Sequence, residues 1–281
     1  MIYKGLIYSM VVLLFFTGCK KEDNNSSLGP KNLKEYLVKK CAYVHEINGF
    51  YVVASDETPK ESNGSSSKEI WTEAIKLFSN YLDQDEDGVI DSDKNELADG
   101  LSKNMIFCVG SEKFVNALSE SSFTGDVENT IGFMTDKWPY DKSYTGKGWT
   151  LDQLSSSTWR PEPFNAIWEE TYHTVTEALS RIDDSFKFTE GKLLRVTMDA
   201  DIADGTYKTE VQNKEENGNY DKVTAVNEYI HQIWAISNCG QESKLNSHQT
   251  KALKFMKEKG VDLRVNPKYA HQLGNTVKPV K

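Results

Sequence analysis

Two stretches of the sequence set glutamate and histidine one helical turn apart. The first reads Trp168-Glu169-Glu170-Thr171-Tyr172-His173, the second Glu228-Tyr229-Ile230-His231. Residues three or four apart share a helix face, so Glu169 and Glu170 can each approach His173, and Glu228 lies beside His231. Carboxylate and imidazole are donors that zinc and related divalent metals accept. The second stretch is apolar nearly all round, with Val223, Val226, Tyr229, Ile230, Ile233, Trp234 and Ile236. A helix of that kind is buried. A buried glutamate and histidine are costly unless they are paired or hold a metal. Helices over 163–181 and 221–238 would have to position this group.

Three readings of these residues stay open. Glu169-Glu170-Thr171-Tyr172-His173 resembles the His-Glu-x-x-His motif of zincin metallopeptidases, with glutamate replacing the first histidine. That resemblance implies zinc on Glu169 and His173, with Glu228 as third ligand in the manner of gluzincins. It further implies Glu170 as the catalytic base and hydrolysis of a peptide bond. His231 is a further candidate ligand. Paired Glu-x-x-His helices are also similar to ferritin-like di-metal carboxylate proteins, a fold that needs four long helices and two more inward glutamates. The third reading is a buried polar network that locks two core helices and catalyses nothing. Met198-Asp199-Ala200-Asp201 and Gly205-Thr206-Tyr207 add carboxylates and a phenol nearby, and read as a turn.

A second constellation is the acidic run Asp83-Gln84-Asp85-Glu86-Asp87-Gly88-Val89-Ile90-Asp91. Calcium takes six to eight oxygens, and carboxylates at alternate positions of a tight loop can converge on one ion. Gly88 falls at the sharp turn and Ile90 is the apolar residue that packs the loop back. The run resembles an EF-hand or dockerin-type loop over 83–96. That resemblance implies ligands at Asp83, Asp85, Asp87, the Val89 carbonyl and Asp91. The twelfth position, where an EF-hand has a bidentate glutamate, is Lys94; Asp93 or Glu96 are candidates to substitute. Without a cation the four aspartates repel one another, so the expected role of calcium is structural.

The N-terminus carries an address. Lys4 precedes the apolar run Met10 to Phe16, which is too short to span a bilayer and has the length of a signal-peptide core. The run ends in Phe16-Thr17-Gly18-Cys19, which resembles the lipobox of bacterial lipoproteins, with Phe16 where leucine is usual. That resemblance implies cleavage of 1–18 and acylation of Cys19. Residues 19–30 are polar and read as a flexible tether. Their charged, acid-containing start, Lys20-Lys21-Glu22-Asp23, is similar to the surface-export signal of Bacteroidota lipoproteins. The expected location is therefore the cell envelope, as a surface-exposed outer-membrane lipoprotein held by its lipid anchor.

The formal net charge of −9 disfavours nucleic acid, and no basic patch with interleaved aromatics offsets it. A peptide or other extracellular ligand fits the address better. Cys41, Cys108 and Cys239 show no Cys-x-x-Cys spacing, so neither a zinc–thiolate site nor a redox motif is indicated. Residues 31–281 are expected to form one α+β domain, mostly helical with a small sheet, in line with a zincin-like fold. Helices are predicted over 31–47, 67–82, 93–103 and 247–259 besides the two above. Strands are predicted over Phe50–Ala54, 104–109, 129–135 and Lys192–Met198. Residues 57–67 and 137–163 read as loops, the second holding Trp138, Trp149 and Trp159, which would be core or would line a groove. The order of landmarks over roughly 67–240 resembles a broad group of secreted bacterial proteins whose activity is uncharacterised. The rival expectation for the whole chain is a calcium-stabilised binding lipoprotein without catalysis.

Overall fold

The computed structural model of the chain describes residues 30–56, 65–119, 130–135, 140, 165–207 and 222–278. The expected signal peptide, Cys19, most of the expected tether and the three loop tryptophans lie outside these residues. Among the described residues no helix is long and apolar enough to cross a membrane.

The class is α+β. Strands β1 (Tyr43–Ile47), β2 (Phe50–Ala54), β3 (Met105–Gly110), β4 (Thr130–Thr135) and β5 (Asn275–Lys278) form one mixed sheet in the order β4-β3-β2-β1-β5. The inner pairs β2–β3 and β3–β4 are parallel, while β1 is antiparallel to both β2 and β5. Side chains alternate across a strand. Phe50, Val52, Ala54, Met105, Phe107 and Val109 therefore enter the large core, and Tyr51, Val53, Ile106 and Cys108 enter a smaller one. Burial on both faces explains why β2 and β3 are continuous apolar runs.

Helices cover both faces. On the small-core side lie α1 (Pro30–Lys40) and α4 (Glu112–Ser119), through Leu37, Val115 and Leu118. The large core is built by α2 (Ser67–Leu82), α3 (Asn95–Asn104), α5 (Ala166–Ile182), α6 (Leu193–Ala203), α7 (Lys222–Asn238) and α8 (Ser247–Glu258). Local chemistry sets their starts. Ser66 and Glu69 form a capping box at α2, Asn246 and Gln249 form another at α8, and the Asn165 side chain accepts the Ile167 N–H at α5.

Two expectations are overturned. Residues 31–47 are not one helix: α1 stops at Lys40 and Tyr43–Ile47 is a strand. The cause is the Asn48-Gly49 turn, with φ of 48° and 87°, whose left-handed residues join β1 to β2 as a tight hairpin. Lys192–Met198 is not a strand but the start of α6, because Leu194, Thr197, Met198 and Asp201 are buried at helical spacing. For the same reason Met198 to Asp201 is helix, not turn.

Candidate metal centre

Helices α5 and α7 pack side by side and bring one atom each of Glu169, His173, Glu228 and His231 within 4.8 Å of one another. The two helices are joined alongside the group by the Thr176 hydroxyl, which donates to Asn227 Oδ1 at 2.6 Å. The rings of Tyr172 and Trp234 stack between them, 4.1 Å apart and 10° from parallel. Rigid neighbours of this kind leave the four polar side chains little freedom to turn elsewhere.

The distances within the group are informative. His173 Nε2 lies 3.5 Å from Glu228 Oε1 and 3.9 Å from Glu169 Oε1, and His231 Nδ1 lies 3.9 Å from the same Glu169 oxygen. These are too long for good hydrogen bonds. Four donors held about 2.0–2.1 Å from a tetrahedral ion stand about 3.4 Å from one another. The observed edges need only small movements to meet that figure. Both ring nitrogens of His173 are buried without a hydrogen-bond partner among the described residues. Such a group normally finds one.

The electrostatics agree. Burial opposes charge on His173, but the carboxylates of Glu228, Glu169 and Glu170 outweigh it and raise the imidazole well above its ordinary pKa of 6.5. The carboxylates thus favour the protonated imidazole over the neutral one. Glu169 and His231 are the deep side of the group, with side chains 3% and 2% exposed, whereas His173 and Glu228 are 13% and 10% exposed. His173 and Glu228 therefore form the less deeply buried side of the group. Glu170 is not among the four converging residues, although its charge acts on His173. Sequence spacing alone could not separate Glu169 from Glu170, since both lie within one turn of His173.

The acidic loop gathers part of its expected set. Asp83, Asp85 and Asp91 converge, while Asp87 stays out of that group and its Oδ1 accepts the Val89 N–H at 2.8 Å. Asp83 is fully buried, accepting from the Asp87 and Gly88 backbone at 3.1 and 2.9 Å and from the Tyr269 hydroxyl. Those donors outweigh burial and lower its pKa. Asp85 goes the other way: the Asp87 N–H lowers it, but burial and the charges of Asp87, Asp91 and Asp83 raise it on balance. Gly88 has φ of 87° at the sharp turn, and Ile90 packs on the large core as expected. Val89 exposes its side chain, so only its backbone carbonyl remains a candidate ligand. Lys94 is turned away: its buried ammonium reaches the Gly260 carbonyl and Asp93, both at 3.0 Å, which also occupies Asp93. Glu96 is exposed.

A third group, Asp201, Asp204 and His248, is not legible from spacing because His248 on α8 comes to the end of α6 only in the fold. Asp201 is already satisfied, accepting from the Tyr229 hydroxyl at 2.7 Å and from Asn246 Nδ2 at 2.9 Å. It reads as a structural carboxylate beside Glu228's helix. Among the described residues Cys41, Cys108 and Cys239 form no disulfide, and Cys108 is fully buried in β3. The described residues therefore contain carboxylate and imidazole groups able to hold a metal ion. No protein-family model, curated protein or solved structure matches the chain.

Proposed function

We propose that this chain is an exported, lipid-anchored envelope protein that holds a divalent transition metal, zinc by preference, on Glu169, His173, Glu228 and His231. The observation that carries this is the convergence of four ligand-type atoms on two packed helices, all within 4.8 Å of one another and three of the pairs at 3.5–3.9 Å, near the edge of a tetrahedral site. Calcium in the 83–91 loop is proposed as a structural ion, with Asp83, Asp85 and Asp91 as side-chain ligands; it would relieve the mutual repulsion seen at Asp85. The lipid on Cys19 and surface exposure rest on the lipobox and the acidic residues after it.

A catalytic reading has one observation in its favour: Glu170 is close enough to act electrically on His173, at the more accessible side of the group. In this reading Glu169, His173 and Glu228 alone would hold the metal, leaving one position open where it would polarise a carbonyl oxygen. Glu170 would accept the proton of the attacking water, and Glu169 and Glu228 would balance the positive charge. The class is zincin-like hydrolysis, with a peptide as substrate.

Elemental analysis of the purified protein beside His173→Ala and Glu228→Gln separates these readings from an inert polar network. One equivalent of transition metal, kept by the wild type through dialysis and depleted in both variants, supports the centre; its absence from the zinc-equilibrated wild type rejects it. Peptide hydrolysis that survives Glu170→Gln would remove the catalytic reading while leaving the centre intact.

A further inference from the structure

The segment from Val261 to Tyr269 follows α8 and contains neither helix nor strand, yet Val261, Leu263 and Tyr269 are buried. Buried irregular backbone must find partners for its polar groups. Here the partners come from two directions. On one side stand the helices of the metal centre. The Tyr172 hydroxyl donates to the Val261 carbonyl at 2.9 Å, and the Trp234 indole N–H to the Leu263 carbonyl at 2.7 Å. The Arg264 guanidinium donates to the Ser237 carbonyl at 2.8 Å. On the other side stands the acidic loop with the end of α2. Arg264 and Gln84 exchange a reciprocal pair of hydrogen bonds, both at 3.1 Å. The Asn266 N–H donates to Asn80 Oδ1 at 2.8 Å, its side chain donates to Glu86, and Tyr269 donates to Asp83.

We infer that Val261–Tyr269 is a clasp that holds α5 and α7 in the register the metal centre needs and passes the state of that centre to the acidic loop. The inference rests on the metal reading of Glu169, His173, Glu228 and His231. The stacked pair Tyr172 and Trp234 is the point of contact. Each ring belongs to a ligand-bearing helix, next to His173 in one case and one turn beyond His231 in the other, and each is tied to the clasp. Metal ligation draws the two helices together and so fixes both anchors. A clasp ordered at one end costs less entropy to order at the other, where it meets the loop. Tyr172, Trp234 and Gln84 are positioning residues in this scheme and touch no metal.

The test is amide hydrogen exchange, followed by mass spectrometry, on the full chain with and without zinc, with zinc content measured on the same samples. Zinc is expected to slow exchange across 261–269 and 83–91, as well as in α5 and α7, by about tenfold, a typical coupling factor between linked sites. In Tyr172→Phe/Trp234→Phe zinc should bind more weakly, and at a zinc concentration that fills the site of the variant the added protection at 83–91 should be absent. In Gln84→Ala, a mild change at the loop, protection of 261–269 should persist and that of 83–91 should drop. Bound zinc with protection confined to α5 and α7 would overturn the clasp. So would loop protection that survives in both variants. A protein that binds no zinc would instead overturn the metal reading, and the clasp's role with it.

Discussion

Zinc binding at neutral pH should expel a proton from His173. In the metal-free protein, burial opposes charge on this imidazole, yet Glu228, Glu169 and Glu170 hold its pKa well above 6.5. At pH 7 it is therefore protonated, and an imidazole must be neutral to bind metal. About one proton should leave His173 per zinc bound, and apparent affinity should rise about tenfold per pH unit until the raised pKa is passed. Titration calorimetry at pH 7 in two buffers of different ionisation enthalpy measures that number directly. The His173→Ala variant should bind more weakly and release about one proton fewer. The same shift carries a stability signature. A raised imidazole pKa contributes stability that is complete below 6.5 and is lost as pH rises through the folded value. The metal-free protein should therefore melt at lower temperature as pH rises above neutrality. Equal proton release in wild type and His173→Ala would refute the reasoning, because the imidazole would then not be the group displaced.

Other perturbations address the rest of the structure. Calcium at about one hundred times its dissociation constant contributes about 2.7 kcal/mol, which in a chain of this size is about 5–11 °C of melting temperature. Chelation should remove that increment, calcium but not zinc should restore it, and Asp85→Asn/Asp91→Asn should show no difference between the two conditions. Gly274 has φ of 81°, and a Cβ there would stand 1.9 Å from the Glu46 carbonyl oxygen. Gly274→Ala should therefore cost at least about 2 kcal/mol in denaturant unfolding; an unchanged midpoint would contradict the docking of β5 on β1. Hydrogen bonds from Lys257 and Ser237 outweigh burial at Glu242 and, with Arg264, bring its pKa from 4.5 to about 2. Its contribution to stability is present above 4.5 and lost as pH falls through about 2, so Glu242→Gln should flatten the acid limb of the stability profile.

What was legible in the sequence was whatever repeats at a helical or loop period. Helix α2 is found where its apolar spacing puts it, at Ser67–Leu82. The Glu and His residues of α5 and α7 were identified from spacing alone, and the structure brings four of them together. Side-chain direction within a turn was not legible: Glu169 turns inward and Glu170 does not join the group. In the acidic loop, position alone could not show that Asp87 would serve the turn through the Val89 N–H. The hairpin at Asn48-Gly49 was hidden because Val44 and Ile47 also suit a helix that continues from Leu37. Helix α4 and strand β5 were missed because they are short: Phe114, Val115 and Leu118 stand at helical spacing but over barely two turns, and β5 has four residues. The clasp has no period at all, since its order comes from side chains that lie far away in sequence, such as Tyr172 and Trp234.

The most direct test of the central claim is X-ray absorption at the metal edge of the zinc-loaded protein. The account predicts four nitrogen or oxygen neighbours at about 2.0–2.1 Å, with the outer-shell scattering of two imidazoles, one of which is lost in His173→Ala. A spectrum with no imidazole scattering, or one unchanged in that variant, would place the zinc elsewhere and contradict a centre built from Glu169, His173, Glu228 and His231.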